Sequence, residues 1–321
     1  MESDFDELDR GLAYALQVNG RAPFSTIGEV LGVSDRTIAR RYARLRTSGA
    51  LRVIGGVDLT VFGAVQWFLR VRCAPNASVP VADALARRPD TTWVSLTSGG
   101  TEIVCNVRSE SDADSEALLL AKLPRTPRVE GVTAHSLLHY FYGGPDSLIA
   151  KLSSLSPKAI ERLGPPPQPL RDGPVQLDEG DRKLLAAVAV DGRAELAQLA
   201  VVTGWSPTTV RRRMTELQAR GVLYLDVDVD GRLFGVGPRT LLWLSVTPAH
   251  LAEVGAALAG HPEIAFAGAT TGPSNLFASV MCANQRELYR YLTTSIAALP
   301  GITHVETAPV IRTVKRAGTL A

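Results

Sequence analysis

The sequence contains few of the residues that mark disulfide-rich, zinc-binding or membrane-spanning proteins. Only 3 of its 321 residues are cysteine, and they lie far apart without a CxxC spacing, which argues against a disulfide framework and a structural zinc site. No apolar run approaches the roughly 18 residues that span a membrane. The first residues, MESDFDELDR, are acidic and lack the apolar segment of a signal peptide. We therefore expect a cytoplasmic protein without a membrane partner.

Motifs that would indicate an enzyme are also missing from the sequence. It has no GxxxxGK(S/T) phosphate loop, no nucleophile elbow and no paired-carboxylate motif. His135 and His139 have the i, i+4 spacing of a helical metal site, but the surrounding TAHSLLHYFY has the pattern of a strand. The sequence therefore predicts no catalytic residue, no metal and no cofactor.

The charge of the chain is informative locally rather than globally. Lys and Arg number 34 and Asp and Glu number 32, which gives a net charge of only +2. Between Ser34 and Arg52, however, arginine occurs six times against the single acidic residue Asp35. A local excess of this kind is typical of a surface that meets nucleic acid.

An internal repeat is the strongest pattern in the sequence. The segment that begins DELDRGLAYALQVNGRA aligns without a gap with DEGDRKLLAAVAVDGRA, so that Asp6 corresponds to Asp178, 172 positions later. A second match pairs LARRPDTTWVSLTSGG with LAGHPEIAFAGATTGP after one inserted residue. Between the copies lies LGPPPQPLRDGP, whose prolines favour extended backbone. The chain is therefore one two-part unit that occurs twice.

The first part of each unit has the pattern of a helix-turn-helix. In the first copy a short helix over 24–31 precedes Gly32, which suits a left-handed helix end, and Ser34, which suits a helix cap. The following helix has a buried stripe of Ile38, Tyr42 and Leu45. In the second copy the corresponding residues are Gly204, Ser206, Val210, Met214 and Leu217, and Pro207 stands at the first helical position. The strands LRVIGGVDL and LYLDVDVDG that follow are predicted to form a wing.

The last helix of this motif is predicted to enter the DNA major groove. Burial of its apolar stripe turns Arg36, Arg40 and Arg44 outward as one row, whereas the second copy has Thr208, Arg212 and Glu216 there. The alternative for each copy is a solvated basic face. The predicted contacts with double-stranded DNA are Ser34, Arg36, Thr37, Arg40, Arg41 and Arg44 in the first copy, and Ser206, Thr208, Thr209, Arg211, Arg212 and Arg213 in the second.

The second part of each unit has the order βαββαβ, which favours a ferredoxin-like antiparallel sheet with helices on one face. The fold class is therefore α+β, with two tandem units. The predicted segments are a helix-turn-helix domain (1–60), a ferredoxin-like domain (61–143), a proline-rich linker (144–177), a second helix-turn-helix domain (178–232) and a second ferredoxin-like domain (233–321). Helices are expected near 79–88 and 113–122 in the first sheet domain. Because each sheet has a face to cover, we expect the two sheet domains to pair within the chain as a pseudo-dimer that associates further.

SDRTIARRYARLRTSGAL in a helix-turn-helix, a wing that ends in FG and a βαββαβ domain with a glycine turn together resemble the Lrp/AsnC (feast/famine) transcriptional regulators. The resemblance covers nearly the whole chain, twice over. It implies sheet-to-sheet pairing and a small-molecule effector, commonly an amino acid, near the turn between the second and third strands of the sheet domain. The family often has aspartate where Glu102 and Asn275 stand. The effector residues that the resemblance implies are Ser98, Gly99, Thr101, Glu102, Thr271, Gly272, Ser274 and Asn275, and the alternative is a plain glycine turn.

Two other functions remain open at the level of sequence. Siroheme decarboxylases resemble the same architecture, sometimes as two fused units, but the segments TTWVSLTSGGTEIVCNV and IAFAGATTGPSNLFASV lack a cluster of histidine and tyrosine. A sensor or scaffold that has lost DNA binding is the second. The arginine row favours a DNA-binding regulator over both.

Overall fold

The structure is a computed structural model that describes residues 5–58, 65–74, 76–109, 116, 118–119, 123, 125–144, 148–166, 175–237 and 239–317. Its α-helices include α1 (Glu7–Val18), α2 (Phe24–Leu31), α3 (Asp35–Thr47), α4 (Ser78–Ala86), α5 (Leu148–Leu152), α6 (Pro157–Leu163), α7 (Glu179–Val190), α8 (Leu196–Thr203), α9 (Pro207–Ala219), α10 (Leu251–Gly260) and α11 (Gln285–Tyr291). Its β-strands include β1 (Leu51–Val57), β2 (Val65–Cys73), β3 (Thr91–Thr97), β4 (Glu102–Ser109), β5 (Val129–Tyr142), β6 (Leu223–Val229), β7 (Arg239–Val246), β8 (Ile264–Thr270), β9 (Leu276–Met281) and β10 (Ile302–Thr313).

The chain forms two compact units, each of which combines segments from both copies of the repeat. The first unit, the head unit, comprises Met1–Phe62 and Gly144–Gly235 and contains both helix-turn-helix motifs. The second, the barrel unit, comprises Gly63–Gly143 and Val236–Ala321 and contains both βαββαβ halves. Like elements of the two copies therefore fold together. The predicted boundary at 60 and 61, and the predicted helix near 113–122, lie wholly or largely outside the described residues.

The helix-turn-helix predicted from the sequence is present in both copies. Gly32 and Gly204 end α2 and α8 in the left-handed conformation, with φ of 70° and 77°. Ser34 and Ser206 cap α3 and α9 through their side-chain oxygens. The predicted apolar stripes are buried, with Ile38 and Val210 at 0% exposure. Each motif therefore has its own apolar core, as the helical spacing predicts.

Two short helices, α5 and α6, lie within segment 144–177, the predicted proline-rich linker. Ile149 of α5 and Leu163 of α6 are buried in the core of the first helix-turn-helix motif. These helices precede most of the proline-rich stretch 163–174, for which the sequence predicts extended backbone. The proline-rich residues 167–174 lie outside the described residues.

Local chain chemistry explains why α6 forms despite the nearby prolines. Ser156 caps the helix and Pro157 occupies its first turn, where no N–H is needed. Gly164 ends the helix with φ of 64°. The side-chain amide of Asn19 then donates to the carbonyl oxygens of Leu163 and Gly164, at 3.0 and 2.8 Å. These contacts attach the segment to the first motif.

The strands predicted as wings pair with each other across the head unit. β1 and β6 form a two-stranded antiparallel sheet that runs from Leu51 opposite Val229 to Val57 opposite Leu223. At its centre Ile54 lies opposite Asp226, which is its own counterpart in the repeat. A pseudo-two-fold axis therefore passes between these two residues and relates the two motifs.

The barrel unit is a closed eight-stranded barrel made of two ferredoxin-like halves. The strand order is β5-β2-β4-β3 in the first half and β10-β7-β9-β8 in the second, as the sequence predicts for βαββαβ chains. The fourth strand of each half continues into the other half, because β5 pairs with β8 and β10 pairs with β3. The register repeats with an offset of 173, since Leu96 pairs with Arg312 while Ala269 pairs with His139. The intramolecular pairing of the sheet domains is therefore part of the fold, whereas further association stays a prediction.

Apolar cores lie inside and outside this barrel. Helix α4 covers the first half from outside, and α10 and α11 cover the second. The interior is filled by an aromatic and aliphatic cluster of Phe68, Val104, Leu241, Trp243, Phe277, Ala308 and Val310. The face that each isolated sheet would expose is covered by the other sheet.

Asp226 on the axis of the head unit should make stability depend on pH. Burial raises the pKa of this half-buried carboxyl to about 7, and Asp228 raises it further against hydrogen bonds from Val227 N and Gln17. A raised pKa means that the contribution of Asp226 is fully present below the ordinary value near 3.8 and is lost as pH rises through about 7. Asp226→Asn should therefore be increasingly more stable than wild type between pH 5 and pH 8, by about 1 to 2 kcal/mol.

Urea unfolding at several pH values measures this difference. Asp35→Asn removes an exposed carboxyl from α3 and is the matched control, which should keep the wild-type pH dependence. An Asp226→Asn curve that runs parallel to wild type from pH 5 to pH 8 would contradict the assignment.

Candidate nucleic-acid interface and effector turns

The first turns of α3 and α9 are built alike and face solvent. The hydroxyl oxygens of Ser34 and Ser206 accept from the backbone N–H of Thr37 and Thr209, each at 3.1 Å. Each serine hydroxyl is also within 2.9 Å of the threonine hydroxyl in the same turn. This cap fixes the end of the helix that, in helix-turn-helix proteins, approaches bases and phosphates.

The exposed arginines of the two helices differ. Arg36 and Arg40 of α3 are exposed, and neither forms an ion pair with another residue that the structure describes. In α9, Thr208 replaces the first of these, and the exposed Arg212 has Nη1 3.8 Å from a carboxylate oxygen of Glu216. Arg211 is also exposed. The first motif therefore presents more positive charge that is free to meet phosphate.

Two of the predicted DNA contacts, Arg41 and Arg213, bind the first helix of their own motif. Arg41 Nη1 lies 2.6 Å from Asp6 and 3.2 Å from Asp9, and Arg213 Nε lies 2.6 Å from Asp181. The side chains of Asp9 and Asp181 have 0% exposure. Burial opposes the charge of Asp181, but the hydrogen bonds from Arg213 and from the backbone lower the pKa of this carboxyl. These arginines therefore hold α3 and α9 against the first helix of their motifs.

The counterparts Arg44 and Glu216 separate the two motifs further. Arg44 Nη2 lies 2.5 Å from the buried Asp9, although the arginine itself remains about half exposed. At the same position in the second motif, Glu216 accepts from Arg213 at 2.9 Å and lies 3.9 Å from Arg220. A carboxylate here neutralises arginine charge within α9 and repels phosphate.

A pair of crossed arginines joins the two motifs. Arg21 donates to the carbonyl oxygens of Gly192 and Ala194, each at 2.8 Å, and Arg193 donates to those of Gly20 and Ala22 at 2.7 and 3.1 Å. Every bond thus runs to the turn of the other copy. The pseudo-two-fold relation of the β1–β6 sheet therefore extends to the turns that precede the two helix-turn-helix motifs.

Aromatic rings reinforce only one of these arginines. The guanidinium of Arg193 lies 4.5 Å from the ring centre of Phe24 and 5.5 Å from that of Tyr42. The corresponding positions around Arg21 hold Leu196 and Met214, which offer no ring. The two motifs therefore differ in their packing as well as in their charge.

In the first predicted effector turn, the acidic side chain is already engaged. Glu102 is 5% exposed, and its carboxylate accepts from Arg70 Nε at 2.8 Å, Thr97 Oγ1 at 3.2 Å and Ser98 Oγ at 3.0 Å. Ser98, Gly99 and Thr101 remain exposed at the turn. Glu102 therefore supports the turn from beneath, and the surface open to a ligand is the turn itself.

The second predicted effector turn is held by an amide. Asn275 accepts from Val246 N and donates to Val246 O, each at 2.8 Å, so its side chain takes the place of a strand neighbour. Thr271 accepts from Ser136 N, and its carbonyl oxygen lies 2.8 Å from His135 Nδ1. Gly272 is exposed with φ of 103°, where a Cβ would meet the His135 ring. Ser274 accepts from Thr270 through its carbonyl oxygen.

A partly buried ionic cluster beside these turns has no signal in the sequence. Arg70 joins Glu102 to Glu306, whose carboxylate accepts from Arg70 Nη1 at 2.9 Å, and its guanidinium lies 5.0 Å from the Trp243 ring centre. Burial opposes the charge, but the hydrogen bonds to Glu306 and Glu102 raise the pKa of Arg70. Arg70 and Glu306 are 236 positions apart, so only the folded barrel brings them together.

Comparisons with protein-family models match both parts of the repeat unit. The AsnC-type helix-turn-helix domain matches residues 5–46 and again 177–218. The Lrp/AsnC ligand binding domain matches residues 240–320, the second sheet domain. Among curated proteins, the HTH-type transcriptional regulator FL11 of Pyrococcus horikoshii is 29% identical over 44% of this chain and 93% of its own. An uncharacterised HTH-type transcriptional regulator of the same organism is 30% identical over 45% of this chain and 91% of its own.

A solved structure shares the duplicated architecture. The siroheme decarboxylase NirDL superimposes with a TM-score of 0.61 over 97% of this chain and 93% of its own, at 15% identity. At that identity the likeness concerns the fold. Within the residues that the structure describes, no helix is long and apolar enough to cross a membrane, and no group of three or more metal-ligating side chains occurs.

Arginines that pair with buried aspartates and arginines that are exposed should differ in their effect on stability when they are replaced. Arg213→Gln leaves the buried Asp181 carboxylate without its strongest partner and should lower the free energy of unfolding by about 2 to 4 kcal/mol. Arg211→Gln removes an exposed arginine from the same helix and should change it by less than about 0.5 kcal/mol. Equal losses in urea unfolding would show that Arg213 does not have the positioning role assigned to it.

Proposed function

Since this chain belongs to the Lrp/AsnC family of DNA-binding transcriptional regulators, we propose that its two helix-turn-helix motifs contact the two halves of one operator. The observation that carries this proposal is the head unit, in which the β1–β6 sheet and the crossed Arg21 and Arg193 relate the motifs by a pseudo-two-fold axis. Two-fold symmetry in a DNA-binding protein is matched by symmetry in its site. A single chain therefore supplies the pair of symmetry-related helix-turn-helix motifs that a homodimer supplies in proteins with one motif per chain.

The proposed contacts fall on the exposed side of the first two turns of α3 and α9. Arg36 and Arg40 in the first motif, and Arg211 and Arg212 in the second, are placed to bond phosphates or to fork onto guanine. Ser34, Thr37, Ser206, Thr208 and Thr209 complete the surface through hydroxyl groups. Arg41, Arg44 and Arg213 contribute by orienting the helices through their bonds to buried aspartates.

The two half-sites should differ in their contribution to affinity. The first motif has Arg36 and Arg44 where the second has Thr208 and Glu216, and phosphate neutralisation dominates the affinity of most DNA-binding proteins. Glu216 could still accept from cytosine N4 at a base edge. We infer that the preferred operator is an imperfect palindrome whose stronger half is read by the first motif.

Substitution of one arginine in each motif tests this asymmetry. Arg40→Ala should weaken operator binding by about 1 to 3 kcal/mol if the side chain reaches guanine, and should lower the slope of log affinity against log salt by about 1. Arg212→Ala should weaken binding less, since the carboxylate of Glu216 lies near its guanidinium. Fluorescence anisotropy on selected operator DNA at several salt concentrations gives both quantities.

The matched control is Arg286→Ala, which removes an exposed arginine from helix α11 of the barrel unit. It should leave affinity and salt slope near the wild-type values. Equal losses from Arg40→Ala and Arg212→Ala, on a selected site that is a perfect palindrome, would refute the asymmetry. Unchanged binding in both variants would refute the DNA surface itself.

A small-molecule effector at the exposed glycine turns is the finer part of the proposal. The family model for the second sheet domain is a ligand binding domain, and Gly272 there lies above His135. Ser98, Gly99 and Thr101 form the corresponding turn of the first half, with Glu102 beneath it. We propose that an amino acid binds at Thr271, Gly272, Ser274 and Asn275, where backbone groups and hydroxyls are exposed or half-buried.

The fold shared with NirDL supports one enzymatic alternative, decarboxylation of an iron tetrapyrrole. A fold alone does not assign an activity. If the chain is the regulator that we propose, an iron tetrapyrrole added to the purified protein should keep the visible spectrum of the free compound. A shifted absorption band that titrates to one equivalent, with decarboxylated product in the mixture, would favour the enzyme.

A further inference from the structure

The two halves of the barrel carry different side chains at one set of three equivalent positions. With the offset of 173, Gln66 corresponds to Arg239, and Tyr140 corresponds to Thr313. In the same way Phe266 corresponds to Trp93. Gln66, Tyr140 and Phe266 form one local environment, which we call the reference environment. Arg239, Thr313 and Trp93 form the equivalent second environment, which can be compared with it.

In the reference environment every group has a partner. The Tyr140 hydroxyl donates to Gln66 Oε1, and the Tyr140 ring packs edge-on against Phe266 with ring centres 5.8 Å apart. Phe266 also packs against Phe68 and Phe277 in the barrel interior. Tyr140 therefore fills this position with a six-membered ring and satisfies the polar side chain beside it.

In the second environment the tyrosine ring is missing, and a charged residue replaces the amide beside it. Thr313 has no ring to offer, and Arg239 stands where Gln66 does. Arg239 Nη2 donates to Ser95 Oγ at 2.5 Å, but its Nε is shielded from solvent and has no hydrogen-bond acceptor among the described residues. Nor does a described carboxylate lie within ion-pair distance of this guanidinium. A buried donor left without an acceptor destabilises the fold, and more so when it is charged.

The backbone around Arg239 is also unusual. Trp93 adopts φ of 53°, a left-handed conformation that bulky residues rarely take, at an irregularity in the β3–β4 ladder between Thr92 and Ser95. The irregularity turns the indole outward, so that Trp93 is 36% exposed and lies 4.8 Å from the Arg239 guanidinium. The peptide is held there by a bond from Trp93 N to the carbonyl oxygen of Arg316. Strained backbone of this kind is commonly found beside binding sites.

Charge in this environment is positive. Burial, together with the neighbouring Arg316, lowers the pKa of Arg239 to about 10, so the guanidinium remains protonated at neutral pH. The hydroxyl of Ser279, two positions along the adjacent strand from the partner of Arg239, is also buried without a hydrogen-bond partner among the described residues. An anion with a flat apolar body would satisfy the guanidinium and occupy the position that Tyr140 fills in the other half.

We propose that Arg239, Trp93, Ser95 and Thr313 form a binding site for a small aromatic carboxylate. The carboxylate accepts from Arg239 Nε, in the fork geometry that guanidinium offers to two oxygens. The aromatic ring takes the position beside Thr313 that corresponds to the Tyr140 ring and packs beside the exposed indole of Trp93. This site is separate from the glycine turns and does not depend on the proposed DNA contacts.

Isothermal titration of the full-length protein with sodium benzoate tests the site. Saturable binding of one equivalent of benzoate is expected. Acetate should bind more weakly because it lacks the aromatic ring, and inorganic phosphate should bind more weakly because it lacks both the ring and the carboxylate. Arg239→Gln, which installs the residue found at the reference position, should weaken benzoate binding roughly tenfold or more. Arg239→Lys keeps the charge but loses Nε and should also weaken it.

Thr313→Tyr is a second, independent variant. It restores the ring of the reference environment and should abolish benzoate binding while the protein remains folded, as judged by circular dichroism. Arg312→Gln removes an exposed positive charge from the adjacent position and is the matched control, expected to bind as wild type does. Wild-type protein that shows no saturable binding would overturn the proposal. So would benzoate affinity unchanged by Arg239→Gln and Thr313→Tyr, or phosphate affinity equal to that of benzoate.

Discussion

Backbone pairing between the two copies of the repeat is the constraint on which both compact units depend. In the head unit β1 of one copy pairs with β6 of the other, and in the barrel unit β5 and β10 each bridge from one half to the other. A ferredoxin-like sheet alone has an open edge and an apolar face. Strand exchange closes the edges and covers the faces at the same time. Neither half of the barrel could keep its interior cluster of Phe68, Trp243 and Phe277 buried without the other.

Close approach at the centre of the head unit explains residues that no local rule requires. Gly55 and Gly56 both lie in β1, a poor place for glycine on propensity alone. A Cβ on Gly55 would stand 2.6 Å from Val188, and one on Gly56 would stand 2.1 Å from the ring of Tyr224. Both contacts are with the other copy. The glycines therefore belong to the pairing of the two motifs rather than to the strand that contains them.

Local chemistry could be predicted from the sequence, and contacts between distant segments could not. The turn at Gly32 and the cap at Ser34 depend on neighbouring residues, and the structure has them where the pattern predicts. Ser156 and Gly164 are a helix cap and a helix stop of the same local kind, but they lie in the segment that is predicted from the sequence to be a linker. Exposure of an arginine depends on its partner: Arg41 and Arg40 are neighbours in one basic run, yet only Arg41 reaches the buried Asp9. Helical periodicity indicates which side of the helix a residue faces, but not which acidic residue of another helix lies opposite it.

Fusion of two copies changes what a symmetric architecture can contain. In a homodimer each side chain occurs twice, so Ile54 would face another isoleucine across the axis and a site beside Gln66 would have an identical twin. Here Ile54 faces Asp226, and where Tyr140 bonds Gln66 in one half, Arg239 in the other half has an Nε without an acceptor among the described residues. One copy can keep the contacts that hold the fold while the other loses them, since the fold needs each only once. Differences between equivalent positions are therefore the places where this chain can have acquired properties that a symmetric dimer would have to carry in duplicate.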